Sequence, residues 1–78
     1  MTTPEPIHDL DLRGLKCPLP ALRVRKALAG LQPGAVLRAS ATDPMAAIDI
    51  PHLLRETGDL LLASEREGDA LAFTILKT

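Results

Sequence analysis

Two prolines mark the positions where helices are expected to begin, and these positions constrain the fold more than any other feature of the sequence. Pro18 follows Cys17, and Pro44 follows Asp43. Proline suits the first helical position because its fixed φ matches a helix and its missing N–H would have no partner there. Asp43 adds the side-chain acceptor that a helix start prefers. We therefore expect one helix to begin at each proline.

Apolar residues recur at helical spacing after each proline. The first stretch covers residues 18–31 and stops at a Gln-Pro-Gly sequence, and the second covers residues 44–57 and stops at Gly58. The expected buried stripes are Ala21, Val24, Ala27, Leu28 and Leu31 in the first helix, and Ala46, Ile50, Leu53, Leu54 and Thr57 in the second. Pro51 interrupts the second stretch and removes one backbone donor, so we expect a kink or an irregular first turn there.

Four further segments carry strand patterns. They are residues 7–12, 35–42, 60–66 and 70–77, and the Glu-Gly-Asp sequence between the last two is typical of a hairpin. The resulting order is β-α-β-α-β-β. This order predicts an α/β (α+β) fold, a two-layer sandwich in which a four-stranded mixed sheet carries both helices on one face. At 78 residues, the chain is expected to form a single domain, with residues 1–6 as a frayed tail.

Composition argues against several classes of function. A net charge of −1 and a single aromatic residue, Phe73, argue against direct nucleic-acid binding by charge and stacking. The apolar runs are too short to cross a membrane. The chain has one cysteine, with two histidines at no ligand spacing from it, so we expect neither a metal site nor a cofactor. A free thiol in a chain without a signal peptide indicates the reducing cytoplasm.

The single cysteine is the one residue with evident chemistry. Cys17 precedes a helix start, where unpaired N–H groups and the positive end of the helix dipole favour the thiolate. Arg13 and Lys16 add positive charge if the loop folds back, so we expect a lowered pKa. A lone cysteine is more often a small buried apolar residue. The charged surroundings favour exposure instead, with Pro18 and Pro20 holding the thiol rigidly, and no general base is evident beside it.

Three short motifs follow one another in a fixed order along the chain. They are Gly14-Leu15-Lys16-Cys17-Pro18-Leu19-Pro20, Thr42-Asp43-Pro44 and Asp49-Ile50-Pro51. In order and spacing they resemble the motifs of the TusA-like (SirA/YedF-like) sulfur-carrier family, and the similarity runs from about Leu10 to the C-terminus. The resemblance implies the same sandwich fold. It also implies that Cys17 accepts sulfane sulfur as a persulfide from a cysteine desulfurase or a rhodanese-type donor.

The resemblance also implies where the sulfur goes and which residues take part. The destination would be a downstream acceptor protein in tRNA thiolation, molybdenum-cofactor metabolism or sulfur oxidation. By position, Pro18 and Pro20 form the scaffold of Cys17, while Arg25 and Asp43 help partner docking or frame the site. Some relatives carry another cysteine after the Asp-Ile-Pro motif, where this chain has His-Leu-Leu. This departure argues against an internal resolving thiol.

Several residues within or beside the motifs have an ordinary structural explanation as well as a functional one. Leu19 and Leu22 lie away from the buried stripe and are either a docking patch for a partner or ordinary exposed positions. Asp43 is sufficiently explained as a helix cap, and Asp49 as a cap for the second part of an interrupted helix. His52 is expected on the surface.

Two alternatives to a carrier remain open. The chain is a regulatory or interaction module with Cys17 as a redox-sensing thiol, or a structural subunit that docks through its bare sheet face. A carrier would be a sulfurtransferase-type protein with little activity alone, and a chain this small is expected to be a monomer. Replacing Cys17 with serine separates these functions, because a carrier loses its function while a pure binding module keeps its partner.

Overall fold

The computed structural model describes residues 7–78, so the expected frayed tail at residues 1–6 lies outside the described residues. The elements are β1 (Ile7–Leu12), α1 (Leu19–Ala29), β2 (Val36–Ala41), α2 (Ala46–Thr57), β3 (Leu60–Glu67) and β4 (Ala70–Leu76). The predicted order β-α-β-α-β-β is confirmed. Each helix begins slightly later than predicted, because the residues directly after the preceding loop form a turn before the helix starts.

The four strands form one mixed sheet in the order β1-β2-β4-β3. β1 and β2 are parallel and connected through α1, whereas β4 is antiparallel to both β2 and β3. In the parallel pair, Leu12 at the end of β1 lies beside Ala41 at the end of β2. Because the chain leaves both strands at the same edge of the sheet, the loops that lead into α1 and α2 start side by side.

The core lies between one face of the sheet and the two helices. The buried side chains of this core include Leu37, Ala39, Ala41, Phe73 and Ile75 from the strands, and Val24, Leu28, Ile50, Leu53 and Leu54 from the helices. Phe73 is paired with Ala39 across β4 and β2, so the one aromatic side chain is accommodated beside a very small one. α1 and α2 also pack against each other. This arrangement confirms the two-layer sandwich.

The second helix differs from its prediction in two respects. α2 runs through Pro51 without interruption. Its start is irregular, as expected, because the N–H groups of Ala46, Ala47 and Ile48 donate to carbonyls three residues earlier. The donor that Pro51 lacks would have bonded to the carbonyl of Ala47, and Ala47 is an exposed residue, so the missing bond does not fall in the core. Thr57, predicted to be buried, is exposed because it lies in the last turn, and its hydroxyl donates to the carbonyl of Leu54 at 3.5 Å.

Candidate functional site

Cys17 lies in the loop between β1 and α1, and its side chain is exposed. α1 begins at Leu19, so Pro18 immediately precedes the helix, and the prediction that Pro18 is the first helical residue was wrong by one position. The Cys17–Pro18 peptide bond is cis. Pro20 lies in the first turn of α1, where a missing N–H breaks no helical hydrogen bond. Its side chain is fully buried, which fixes the first turn of α1 in the core.

The Asp43 carboxylate ties the cysteine loop to the start of α2. Its Oδ1 accepts a hydrogen bond from the backbone N–H of Met45 at 3.0 Å, and its Oδ2 accepts one from the N–H of Cys17 at 2.6 Å. The bond from Met45, then that from Cys17, hold the pKa of Asp43 below its usual range, and the charge of Lys16 acts in the same direction. Asp43 therefore holds both the turn that leads into α2 and the cysteine backbone. The prediction that Asp43 is the N-cap was wrong by two positions, because the N-cap of α2 is Met45.

A glycine in the cysteine loop makes a second link between the two loops. Gly14 has a φ of 85°, in the left-handed region that glycine adopts without steric cost. Its N–H donates to the hydroxyl of Thr42 at 2.9 Å. The Gly14–Pro20 and Thr42–Pro44 motifs are therefore in direct contact, although they are far apart in the sequence.

The thiol is in contact with a second carboxylate, that of Asp49. The Cys17 Sγ lies 2.8 Å from the Asp49 Oδ2, and Asp49 lies in the first turn of α2. An ionised carboxylate can only accept hydrogen bonds, so the thiol is the donor. The prediction that Asp49 caps the second part of an interrupted helix was wrong, because α2 is continuous. Sequence reasoning missed this contact, and the Asp-Ile-Pro motif was the only signal that pointed to this residue.

These carboxylates raise the pKa of Cys17, whereas the sequence predicted a lowered pKa. The hydrogen bond to Asp49 is the largest cause, followed by desolvation and by the negative charges of Asp49 and Asp43. The helix dipole acts in the opposite direction, but it amounts to roughly half an elementary charge spread over several N–H groups. The carboxylate of Asp49 touches the sulfur directly, so its effect is the greater one.

One of the two cations that were expected beside the sulfur is engaged elsewhere. Arg13 forms an ion pair with Asp11, with Nε 3.0 Å from Oδ1. Both residues line a concavity on the open face of the sheet, where the helices do not pack. The other cation, Lys16, acts on the carboxylate of Asp43. The loop therefore does not direct the charge of Arg13 towards the thiol.

An open cavity of about 230 Å³ lies beside the thiol, between α1 and α2. It is lined by Cys17, Pro18, Ala21, Leu22, Arg25, Asp49, His52, Leu53 and Glu56. His52 is exposed, as expected, and its Nε2 lies 3.9 Å from a carboxylate oxygen of Glu56. Within residues 7–78, Arg25 forms no ion pair, with Asp43 or any other carboxylate. The cavity therefore combines apolar walls with charges of both signs around one sulfur atom.

Four large apolar side chains are exposed at the two helix starts, and we call them the apolar rim. Leu19 and Leu22 of α1 are 45% and 53% exposed, in agreement with their predicted positions outside the buried stripe. Met45 and Ile48, at the start of α2, are 44% and 63% exposed, and sequence reasoning did not identify them. Of the four, Leu22 also lines the cavity beside Cys17, and exposed apolar side chains that form a contiguous patch are typical of a protein-binding surface.

The described part of the chain contains no cluster of three His, Cys, Asp or Glu side chains that is suited to a metal ion. The described site contains one exposed sulfur, that of Cys17. Its backbone is anchored by Asp43, and its thiol is hydrogen bonded to Asp49.

Comparisons with known sequences lead to a single family. Residues 8–77 match the family model described as sulfurtransferase TusA. The chain is 55% identical over 62 residues to a putative sulfur carrier protein of Neisseria meningitidis serogroup A, and the match covers 78% of this chain and 84% of that protein. It is 41% identical over 71 residues to the sulfur carrier protein TusA of Allochromatium vinosum, with coverage of 91% and 93%.

A solved structure has the same fold. The crystal structure of a SirA-like protein from Desulfitobacterium hafniense matches this chain with a TM-score of 0.73 at 26% sequence identity. The match covers 91% of this chain and 96% of that chain. The two proteins therefore share the sandwich over nearly their whole length.

Proposed function

This chain belongs to the TusA sulfurtransferase family, and from that premise we propose that it is a sulfur carrier that works through Cys17. The family resemblance indicated by the three motifs is thereby confirmed. In this proposal, Cys17 accepts one sulfane sulfur atom from a cysteine desulfurase or a rhodanese-type donor. It holds that atom as a persulfide and delivers it to an acceptor protein of a sulfur relay.

The observation that carries the proposal is the position of the thiol. Cys17 is exposed, and its backbone is held by Asp43 at the junction of two loops. A carrier needs a sulfur atom that two different proteins can reach in turn. The backbone around that sulfur should keep the same conformation in both encounters. An exposed thiol fixed through its own backbone N–H meets both requirements, with Pro18 and Pro20 on the helix side.

The transfer exchanges one sulfur–sulfur bond for another without net oxidation. The thiolate of Cys17 attacks the outer sulfur of the donor persulfide. A bond forms between the Cys17 Sγ and that sulfur as the donor's sulfur–sulfur bond breaks, and the electron pair leaves with the donor thiolate. The proton lost by Cys17 is taken up by the departing donor thiolate. Delivery repeats the same step with the acceptor thiolate as nucleophile and Cys17 as the leaving group.

Partner docking is assigned to the surface around the thiol. Arg25 lines the cavity beside Cys17 and has no ion-pair partner within residues 7–78, so a partner carboxylate can pair with it. Leu19 and the other members of the apolar rim supply apolar area at the same end of the molecule. A mixture of exposed apolar side chains and an arginine is typical of protein interfaces.

A redox-sensing role for Cys17 is less well supported than a carrier role. A sensor thiol needs a low pKa and usually a resolving cysteine nearby. The pKa of Cys17 is raised by Asp49, and the sequence contains no second cysteine. A carrier can work with a raised pKa and without a second cysteine. Its partner protein supplies the second sulfur atom and the group that deprotonates the thiol.

The cellular setting that we propose follows from the same thiol. A free, exposed cysteine without a disulfide partner suits the reducing cytoplasm. No helix among residues 7–78 is long and apolar enough to cross a membrane. We further propose that the protein acts as a monomer, since its single sulfur site is formed within one chain.

Intact-mass spectrometry after incubation with a cysteine desulfurase and L-cysteine tests the proposal. The unmodified protein should gain about 32 Da, the mass of one sulfur atom, and lose it on treatment with a reductant. The Cys17→Ser variant is the matched control and should gain nothing. Absence of the adduct with several donors, from a thiol that iodoacetamide alkylates readily, would instead favour a binding module.

A further inference from the structure

The hydrogen bond between Cys17 and Asp49 joins the reactive sulfur to the second helix. The two residues are 32 positions apart, and the distance from Sγ to Oδ2 is 2.8 Å. Among residues 7–78, this bond is the one hydrogen bond of the Asp49 side chain. Asp49 is partly exposed and is therefore not needed to fill the core. The position of the Asp49 carboxylate therefore indicates that it acts on the Cys17 thiol.

We propose that Asp49 is a positioning residue that holds the unloaded Cys17 as a protonated thiol and releases it when sulfur is loaded. This inference rests on the proposed carrier function and concerns the same site. It adds a requirement for the donor protein, which must bring a positive charge or a base to Cys17 before transfer.

The charges around the sulfur favour the protonated state at rest. Asp49 accepts the thiol hydrogen bond, and Asp43 adds a second negative charge on the same side. The other titratable groups nearby are Lys16 in the cysteine loop and, lining the cavity, Arg25, His52 and Glu56. The charge of Lys16 acts on Asp43, and the ring of His52 lies 3.9 Å from Glu56, whereas Arg25 has no ion-pair partner within residues 7–78. None of these three side chains forms a hydrogen bond to the sulfur, as Asp49 does. A thiolate would have to form against the full charge of Asp49 in contact with it.

A carboxylate in this position is poorly suited to act as a general base. Carboxylates are far weaker bases than thiolates, so a proton passed from Cys17 to Asp49 moves strongly uphill. The hydrogen bond instead stabilises the protonated thiol, because the proton stays on sulfur and the carboxylate accepts from it. Asp49 therefore restrains the thiol, and deprotonation depends on a group that the donor provides.

Loading removes the proton on which this bond depends. In the persulfide, the Cys17 Sγ carries the outer sulfur in place of hydrogen, and a sulfur–sulfur bond measures about 2.05 Å. With Oδ2 only 2.8 Å from Sγ, an outer sulfur placed along this line would overlap the carboxylate. The outer sulfur must therefore point away from Oδ2, and the adjoining 230 Å³ cavity offers space for it. The loaded and unloaded carriers therefore differ at Asp49, where a partner can distinguish them.

The first test measures the rate of iodoacetamide alkylation of Cys17 against pH in the full chain. Asp49→Asn should alkylate at least about three-fold faster at pH 7, because the charged acceptor is lost and the thiolate fraction rises. Asp49→Ala should show the same direction, which excludes an effect of the new amide. Asp9→Asn is the matched control, since it removes one carboxylate charge on the open face of the sheet, outside the cavity beside the thiol, and its profile should stay that of the unmodified protein. An unchanged profile in both Asp49 variants overturns the inference.

The second test measures the rate of sulfur uptake from glutathione persulfide, a small donor that brings no protein groups to the site. Asp49→Asn should load faster than the unmodified protein, in proportion to its faster alkylation. Slower loading, despite faster alkylation, would identify Asp49 as a base and contradict the restraining role. Alkylation requires no sulfur donor, so a failure of the carrier function would leave the first test intact and is distinguishable from a failure of this inference.

Discussion

The backbone N–H of Cys17 lies 2.6 Å from Oδ2 of Asp43, a residue 26 positions later in the chain. The other oxygen of that carboxylate accepts from Met45 at the entrance to α2. One side chain therefore fixes both the cysteine loop and the start of the second helix. The parallel pairing of β1 with β2 makes this possible, because it brings the two loops to the same edge of the sheet.

Replacing Asp43 with alanine should loosen the cysteine loop and destabilise the protein modestly. The backbone N–H groups of Cys17 and Met45 both lose their acceptor. We expect Tm to fall by about 5 °C, the effect of leaving backbone N–H groups without their acceptor in a domain of this size. Amide hydrogen exchange at Cys17 should become faster, while exchange at Phe73 in the core remains slow. Unchanged protection at Cys17 would show that the loop does not depend on this carboxylate.

Acid should weaken this link in a predictable pH window. The pKa of Asp43 is lowered in the folded protein, so its contribution to stability is present above the unfolded value of about 3.9. The contribution is lost as the pH falls through the lower, folded value. Urea unfolding at pH 6 and at pH 3 measures this effect. The unmodified protein should lose more stability between these pH values than Asp43→Asn, and equal losses would contradict the lowered pKa.

The thiol of Cys17 should titrate at higher pH in the folded protein than in the unfolded chain. Its pKa is raised by Asp49, so folding favours the protonated thiol, and this contribution to stability is present below the unfolded pKa. It is lost as the pH rises through the folded value. Thiolate absorbance in buffer and in concentrated urea gives the two titrations. A folded midpoint below the unfolded one would restore the view that the helix dipole dominates.

Arg25 should contribute to donor binding, whereas Arg23 should not. Both residues are exposed on α1, but only Arg25 lines the cavity beside the thiol. For Arg25→Ala we expect the Kd for a cysteine desulfurase to rise by about ten-fold, with a weaker dependence on salt. Arg23→Ala should change it by less than about two-fold. Isothermal titration calorimetry at two salt concentrations measures both, and equal effects of the two variants would remove the proposed role of Arg25.

The fold could be predicted from the sequence because its signals are local. Alternating residues in the strands, helical spacing after Pro18 and Pro44, and the Glu-Gly-Asp turn each specify one element without reference to the rest of the chain. The end of α2 at Thr57 agrees with the prediction, but the burial of Thr57 was wrong, although this residue fits the apolar stripe by position. In the last turn its hydroxyl bonds to the backbone instead.

The surroundings of the thiol could be predicted only in part. The Asp-Pro sequence drew attention to Asp43 as a helix cap, but α2 begins two residues later than predicted, so its carboxylate binds the turn before the helix instead. The contact of Asp49 depends on how α1 and α2 pack side by side, which no local pattern specifies. The direction of the Cys17 pKa was wrong for the same reason: the sequence shows the nearby Arg13 and Lys16, but not a carboxylate 32 residues away.

The central claim is that one transferable sulfur atom resides on Cys17, and cyanolysis of the loaded protein tests it most directly. The protein is loaded with a cysteine desulfurase and L-cysteine, separated from the donor and treated with cyanide, which converts an outer persulfide sulfur into thiocyanate. About one thiocyanate per chain is predicted for the unmodified protein and none for Cys17→Ser, because exchange at a single thiol carries a single sulfur. Thiocyanate released equally from both proteins, or from neither, would contradict a persulfide carrier built on Cys17.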